Sequence, residues 1–224
     1  ASNGEVLVAP NCLQCHAQVF NDELIIGLGN SLVDYTRNDI LNLSNLELLE
    51  KVLKLNAPSQ YEAAAPFITV SKAVVPYLFA DVKGVNVADR LAALLVAHRD
   101  PMNFKWNKDA QMTIPDDIIP TDTPPWWLLK KKNVMFYNGF GRGDFGRFLM
   151  ASNLLTVNDT SESRNVDERM PDVLAYIYSL QPPKYPKPID ESLAAKGKFI
   201  FEQNCSDCHG SYGAKSSYPN LLIP

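Results

Sequence analysis

Two stretches of the sequence decide how it is interpreted: Cys12-Leu13-Gln14-Cys15-His16 near its start and Cys205-Ser206-Asp207-Cys208-His209 near its end. In each, two cysteines are separated by two residues and followed at once by histidine, which is the spacing of c-type haem attachment. Two thiols at this spacing bond to a porphyrin, and the imidazole of the next residue binds its iron. The sequence therefore predicts two covalently bound haem c groups, attached at Cys12, Cys15, Cys205 and Cys208, with His16 and His209 as iron ligands.

Other uses of the cysteine pairs fit less well. A zinc site needs two ligand pairs close together, and these motifs lie near opposite ends of the chain. A redox dithiol needs no histidine directly after it. All 4 cysteines of the chain lie in the motifs, which leaves none for a disulfide. Because haem c is attached outside the bacterial cytoplasm, we expect a periplasmic or secreted protein, with Ala1 at or after a processing site.

The composition is that of a globular protein. The chain has 224 residues, of which 46% are hydrophobic and 21% charged, and its formal net charge is −4. These values favour an ordered core and make nucleic acid an unexpected partner. No apolar run approaches the roughly 18 residues of a membrane span, so none is predicted.

Proline and haem-motif positions predict the domain organisation. The proline-rich stretch 181–188 is typical of an extended linker. We therefore predict an N-terminal haem c domain over residues 1–180, with a long aromatic and glycine-rich insertion. Residues 189–224 then form the start of a C-terminal cytochrome c domain, because too little chain follows His209 to close over a haem. The predicted fold class is all-α with long loops: two cytochrome c-type haem domains, the second incomplete in this chain.

Helical patterns support that class. The capping-box pattern Ser44-Asn45-Leu46-Glu47 predicts a helix that ends near Pro58. A second helix is predicted to end before Asp100-Pro101, and a third to begin around Pro171 with Leu174, Ile177 and Tyr178 facing inward. Asp190 is a candidate N-cap for the helix before the second haem motif. Residues 61–79 stay unassigned because Pro66 and Pro76 interrupt them.

Several residues are candidates for the surroundings of the haems. His98, on an apolar helix face, is either a second iron ligand or a core histidine bonded to a backbone carbonyl. The 5 methionines are each weak ligand candidates, since methionine more often fills a core. Trp126 and Trp127 are interpreted either as an electron path between haems or as core, and the lysines that follow either as partners of haem carboxylates or as a solvated run. The stretch Phe136–Arg147 has four glycines among aromatic and charged residues, typical either of a loop against a haem edge or of a plain loop.

The whole pattern resembles the bacterial di-haem cytochrome c peroxidase superfamily, which includes MauG and the rubber oxygenases. Asn11–Ala17 followed by Gly27-Leu28-Gly29-Asn30, together with Trp126-Trp127, is closest to the rubber-oxygenase-like branch. Phe136-Tyr137-Asn138-Gly139 resembles a Phe-Trp-Asp-Gly stretch of the peroxidases, whose tryptophan lies between the haems; Tyr137 takes its place here.

The resemblance also has departures. The peroxidases place a distal glutamine and a distal glutamate about ten and twenty residues after that tryptophan, where this chain has Arg147 and Val157. A peroxidase needs a distal acid–base. Its absence at the expected place favours an apolar distal lid, formed by Phe136 or Phe140, with Arg142, Asp144 and Arg147 as possible substitutes.

Two functions from different classes follow. The first is a periplasmic haem oxidoreductase in which one haem reacts with peroxide or dioxygen and the other transfers electrons. The alternative is a pure electron-transfer di-haem cytochrome or the haem subunit of a larger complex, with His98 as a ligand. The expected partners are a small redox protein or a small-molecule electron donor or acceptor, and the remainder of the polypeptide or another chain that completes the second haem domain. A bound calcium ion is left open as a further cofactor.

Overall fold

The computed structural model describes residues 3–8, 11–37, 42–114, 116–136, 139 and 141–210. About 51% of the chain is helical, so the mostly helical class is confirmed. The helices are α1 (Leu13–His16), α2 (Leu43–Asn56), α3 (Pro58–Val74), α4 (Ala88–Ala97), α5 (Phe145–Leu149), α6 (Thr160–Asp167), α7 (Met170–Ser179), α8 (Glu191–Asn204) and α9 (Ser206–His209). Short 3-10 segments lie at Val75–Tyr77, Trp126–Lys131 and Met150–Leu155. No helix in the described part is long and apolar enough to cross a membrane.

One β-hairpin stands beside the helices, and the sequence patterns did not predict it. Strand β1 (Ala17–Phe20) pairs antiparallel with β2 (Glu23–Ile26), with Val19 opposite Leu24. Asn21 and Asp22 join them with φ values of 50° and 60°. A two-residue turn with positive φ at both positions matches the twist of a hairpin, and Asn and Asp tolerate it better than most residues.

Most helix predictions are confirmed, with corrections at their ends and faces. Helix α2 begins one residue after Asn42, whose side chain accepts from the Asn45 N–H at 2.8 Å, so Asn42 is the N-cap rather than Ser44. Helix α3 runs through Pro66 to Val74 and, with the 3-10 segment Val75–Tyr77, covers most of the stretch left unassigned. Asp190 caps α8 as predicted. In α7, Ile177 is buried, but Tyr178 is 38% exposed, so its predicted inward position is wrong.

Two apolar clusters form the core. The first joins α3 to α4 through Val70, Val74, Leu94 and Leu95, with Trp106 packed against it. The second joins the 3-10 segment Trp126–Lys131, hereafter the tryptophan segment, to α5 and α7 through Trp126, Leu129, Phe145 and Ile177. The stretch 121–123 connects the two, because buried Asn86, just before α4, donates to the Thr123 hydroxyl at 2.9 Å.

The chain after α7 has few contacts of its own. No helix or strand lies between Ser179 and Glu191, and residues 181–189 are all exposed. Helix α8 is exposed along its length apart from Phe201 just before its end, with Leu193, Phe199 and Ile200 between 60% and 64% exposed. The linker and the domain boundaries drawn around it remain predictions.

Candidate functional site

The first Cys-x-x-Cys-His motif occupies the single turn of α1. The Asn11 side chain accepts from the Leu13 N–H at 2.9 Å, and the Cys12 carbonyl accepts from the His16 N–H at 3.0 Å. Cys12 is exposed and Cys15 half-buried, and neither is in a disulfide. Because residues three apart on a helix are neighbours, the two thiols lie on one side of the turn.

The chain after the hairpin returns to hold this motif by its backbone. The Asn30 N–H donates to the Cys15 carbonyl at 2.8 Å, and the Asn30 side chain donates to the Gln14 carbonyl at 3.3 Å. The Gly27 N–H donates to the His16 carbonyl at 2.7 Å. These bonds take up carbonyl groups at the end of a helix too short to stabilise itself.

Gly27 and Gly29 are required by close approaches at the same place. Gly27 has φ +88°, and its carbonyl accepts from the Trp126 N–H at 2.8 Å. A Cβ at Gly29 would lie 1.7 Å from the Thr123 carbonyl oxygen. The segment that follows the hairpin therefore fits directly against residues 123–126, which explains both glycines by packing.

His16 faces the tryptophan segment. Its imidazole stacks on the Trp126 indole with ring centroids 4.7 Å apart and planes 25° apart. Burial lowers the pKa of His16 to about 4, and the Pro124 backbone opposes this shift. The His16 Nδ1 atom is buried with no hydrogen-bond partner. A neutral imidazole with a fixed ring orientation is the form that binds a metal.

Trp126 and Trp127 are both core residues, but only Trp126 stacks on His16. Trp126 is 9% exposed and Trp127 8%. The Trp126 Nε1–H is buried and, like the His16 Nδ1, has no acceptor among the described residues. The core interpretation of both tryptophans is confirmed by their burial, whereas the electron path between haems stays a prediction. The stacked rings of His16 and Trp126 each contain a buried nitrogen without a hydrogen-bond partner in the described part of the chain.

Tyr35 is a neighbour of this site that the sequence did not indicate. Its hydroxyl lies 3.7 Å from the Cys15 Sγ, and burial, followed by the nearby Cys15, raises the pKa of Tyr35. The Tyr35 carbonyl accepts from the Ala80 N–H at 3.0 Å, which fixes the chain there. The contact joins residues twenty positions apart, and no local pattern around Tyr35 could have predicted it.

The second motif lies at the end of α8. Cys205 and Cys208 are exposed and free, and His209 ends α9 with its ring 6.4 Å from that of Phe201. Together with the two thiols it presents the same donor set as the first motif, on an open surface.

His98 is the half-buried C-cap of α4 and lies beside the first core cluster rather than against His16. Its Nδ1 is 3.0 Å from the Asn107 carbonyl, and its ring stacks on Trp106 at 4.8 Å with planes 9° apart. A hydrogen bond from Nδ1 to a backbone carbonyl suits a core histidine and equally an iron ligand that binds through Nε2, so both interpretations of His98 stay predictions. The guanidinium of Arg99 lies over the same indole, 5.3 Å from its centroid.

The charged residues of the glycine-rich stretch all have structural roles. Arg142 donates to the Gly139 carbonyl at 2.9 Å. Asp144 is the N-cap of α5, where it accepts from two backbone N–H groups, and Arg147 pairs with Asp167 at 3.3 Å. Phe136, at φ +61°, meets Phe148 edge to face at 5.7 Å. The other two aromatic candidates, Tyr137 and Phe140, lie outside the described residues.

The lysine run after the tryptophans is partly structural. Lys130 Nζ donates to the carbonyls of Tyr178 and Leu180 at 2.9 and 3.2 Å, and so caps the end of α7. Within the described ranges, no three His, Cys, Asp or Glu side chains are grouped to hold a metal ion. A bound calcium ion stays an open prediction.

The residues at both motifs fit a haem. Each offers two free thiols and an imidazole on one turn, and at the first motif the imidazole is neutral, stacked and next to an unpaired buried donor. Comparison with protein families, curated proteins and solved structures finds no match for this chain.

Proposed function

We propose that the chain is a di-haem c-type cytochrome that works as a haem oxidoreductase in the periplasm or outside the cell. One haem is bound by Cys12, Cys15 and His16, and the other by Cys205, Cys208 and His209. The observation that carries this proposal is the His16–Trp126 stack, which orients the imidazole of a motif whose two thiols are free.

A haem held by Cys12, Cys15 and His16 would supply an iron that can react with peroxide or dioxygen, and a haem held by Cys205, Cys208 and His209 would supply electrons. The protein's part is to hold the imidazole. Stacking on Trp126 restricts rotation of the ring, burial keeps it neutral, and the Gly27 N–H fixes the backbone behind it. The axial ligand and the residues that orient it are among the means by which proteins adjust the reduction potential and reactivity of a haem.

The distal side is proposed to be apolar. Arg142, Asp144 and Arg147 were the candidates to replace a missing acid–base, and each is already engaged by a backbone group or an ion pair. Without a free carboxylate there, proton transfer to and from peroxide has no positioned group. This favours the oxygenase-like alternative within the enzyme proposal.

The second haem is proposed to belong to a separate cytochrome c domain that begins at α8. Large apolar side chains of α8, such as Leu193 and Ile200, are exposed, which is costly unless something covers them. The remainder of the polypeptide, or another chain, is the proposed cover, and a small redox protein or a small molecule the proposed electron partner.

Haem stoichiometry tests the cofactor assignment. Protein matured with a cytochrome c attachment system should retain two haems after acid–acetone extraction, as measured by mass spectrometry. Replacing Cys12 and Cys15 by alanine should remove one haem, and replacing Cys205 and Cys208 should remove the other. Haem that passes into the organic phase from the unaltered protein would refute covalent attachment.

Electron paramagnetic resonance of the oxidised protein separates the enzyme from the carrier. A high-spin ferric signal means that one iron has an open or weakly held position, which the enzyme requires. Two low-spin signals alone would mean that both irons have two strong ligands, and the electron-carrier alternative would replace the proposal.

A further inference from the structure

The indole N–H of Trp126 is a buried donor without an acceptor. The residue is 9% exposed, and its Nε1 atom has no hydrogen-bond partner in the described part of the chain. A buried tryptophan usually finds a partner for this group, because leaving it unpaired costs the desolvation of a polar atom. The position therefore indicates that an acceptor belongs there.

The neighbouring tryptophan shows that this is not a property of the segment as a whole. Trp127 is equally buried, at 8% exposed, but its indole nitrogen is not among the buried unpaired atoms of the described residues. Trp127 packs instead near Gly27, whose Cβ position would lie 3.6 Å from the Trp127 Cε3. The two residues differ at the indole nitrogen: no hydrogen bond of this atom is found for either in the described part of the chain, but only the Trp126 nitrogen is also enclosed away from solvent.

The location of Trp126 indicates which kind of group could accept the hydrogen bond from its indole N–H. The indole stacks on His16, and its backbone N–H is held by Gly27, which in turn holds the His16 carbonyl. A group bound through the His16 imidazole therefore lies beside this indole. Haem carries two carboxylates, and a charged acceptor makes a stronger hydrogen bond than a neutral one.

A cation on the same segment suits that acceptor. Lys132 is the C-cap of the tryptophan segment and has extended backbone, three residues after Leu129, which packs in the same apolar cluster as Trp126. Lys132 is half-buried, burial lowers its pKa, and no carboxylate among the described residues lies within 4.0 Å of its ammonium group.

We propose that the Trp126 indole N–H donates a hydrogen bond to a carboxylate of the haem bound at Cys12–His16, which makes Trp126 a haem-positioning residue. This inference rests on the proposed function, since it requires a haem at the first motif. It separates the roles of the two tryptophans: Trp126 contacts the cofactor, and Trp127 is core.

The test compares Trp126→Phe with Trp127→Phe in the full, haem-loaded chain. Both changes remove one indole N–H and keep an aromatic ring, so the second is a matched control.

Trp126→Phe should shift the propionate bending band in the resonance Raman spectrum. It should also lower the midpoint potential of the first haem, because a carboxylate without its hydrogen bond stabilises the oxidised iron. Trp127→Phe should do neither, and the second haem is an internal reference. Equal shifts in both variants, or none in Trp126→Phe, would overturn the assignment.

A second measurement does not depend on how Trp126→Phe folds. Ultraviolet resonance Raman bands of indole report hydrogen bonding at Nε1. Comparison of the unaltered protein with the Cys12→Ala/Cys15→Ala variant should show the loss of one hydrogen-bonded indole together with the first haem. An unchanged indole spectrum would mean that the acceptor is not the haem. Haem extraction from the same samples distinguishes this result from failure of the proposed function, in which the unaltered protein holds no haem at the first motif.

Discussion

Gly29 illustrates how a residue with no side chain fixes the candidate site. It meets the Thr123 carbonyl where a Cβ would lie 1.7 Å from the oxygen. Backbone cannot move aside as a flexible side chain can. The contact therefore determines how the segment after the hairpin, which is bonded to the first Cys-x-x-Cys-His motif, packs against the residues before Trp126.

Replacing Gly29 with alanine should destabilise the protein by roughly 1–3 kcal/mol or more, because the added methyl forces the two backbones apart. Urea unfolding followed by circular dichroism measures the change. Gly197→Ala is the control, since Gly197 lies within α8 with nothing within 4 Å of its Cβ position. That change should leave stability unaltered or raise it by about 0.5–1 kcal/mol. Equal effects of the two changes would contradict the close approach.

His98→Ala should reduce stability by about 1–3 kcal/mol without altering either haem spectrum. The change removes a hydrogen bond to the Asn107 carbonyl and a ring stacked on Trp106. Thermal unfolding gives the stability, and the visible spectrum gives the spin state of each iron. Conversion of a low-spin iron to high-spin would instead identify His98 as a ligand and favour the carrier.

Which residues of the candidate site could be predicted from the sequence depended on whether they belong to a recognisable motif. The cysteines and histidines of the motifs stand out because their spacing is itself the signal. Tyr35 and Trp106 do not, because their contacts with Cys15 and His98 are made by folding and leave no local pattern. Sequence reasoning chose the tryptophan pair, but the distinction between Trp126 and Trp127 needed the structure.

At the scale of elements, the spacing of apolar residues predicted the helices well, whereas prolines predicted the helix ends less well. Helix α3 continues through Pro66, although an interior proline usually breaks a helix. Packing of α3 against both α2 and α4 supplies the compensation. The hairpin was missed because its strands have four residues each and its turn is Asn-Asp rather than the commoner Asn-Gly.

Glu50 joins α2 to α3 and makes their pairing depend on pH. Its carboxylate accepts from Lys54 at 2.8 Å on its own helix and from Lys72 at 2.9 Å on the next. Hydrogen bonds from these two lysines lower the pKa of Glu50 to about 2 from the ordinary 4.5. A group whose pKa is lower in the folded state stabilises the protein above its unfolded pKa, and this stabilisation is lost as pH falls.

Glu50→Gln should therefore be less stable than the unaltered protein at pH 7, and the difference should shrink between pH 4.5 and 2 until it vanishes. Urea midpoints at several pH values across this range measure it. Glu47→Gln, on the same helix but without an ion pair among the described contacts, is the control and should show a smaller difference. A gap between Glu50→Gln and the unaltered protein that stays constant down to pH 2 would show that the lysines do not hold the carboxylate.

At the scale of the whole molecule, the two motifs sit in different surroundings. The first is built into a core, through Gly27, Gly29 and Trp126, whereas the second follows a helix whose apolar side chains are exposed. The sequence predicted this asymmetry only as an unfinished domain. The packing of the first motif could not be predicted from the sequence, because this packing depends on residues about a hundred positions away that contact the motif only in the folded chain.

The reaction with peroxide is proposed for a haem at the first motif, where we expect slow cleavage of peroxide. A positioned acid–base contributes roughly 10²–10⁴-fold in rate, and no free group of this kind remains among Arg142, Asp144 and Arg147. Asp144→Asn tests the remaining carboxylate, because asparagine also caps helices well and α5 should persist. The variant should react with peroxide at the same rate as the unaltered protein.

Stopped-flow mixing of the reduced protein with peroxide and, separately, with oxygen follows the Soret band. An apolar distal side should give a Soret shift with oxygen that persists, and only slow turnover of peroxide with a reduced cytochrome as donor. Rapid two-electron oxidation by stoichiometric peroxide would contradict this expectation. Asp144→Asn would then decide whether the N-cap carboxylate of α5 is the acid–base. Slowing of the oxidation by about a hundredfold or more, at unchanged helix content, would identify it as such, because a general acid–base contributes about that much to the rate.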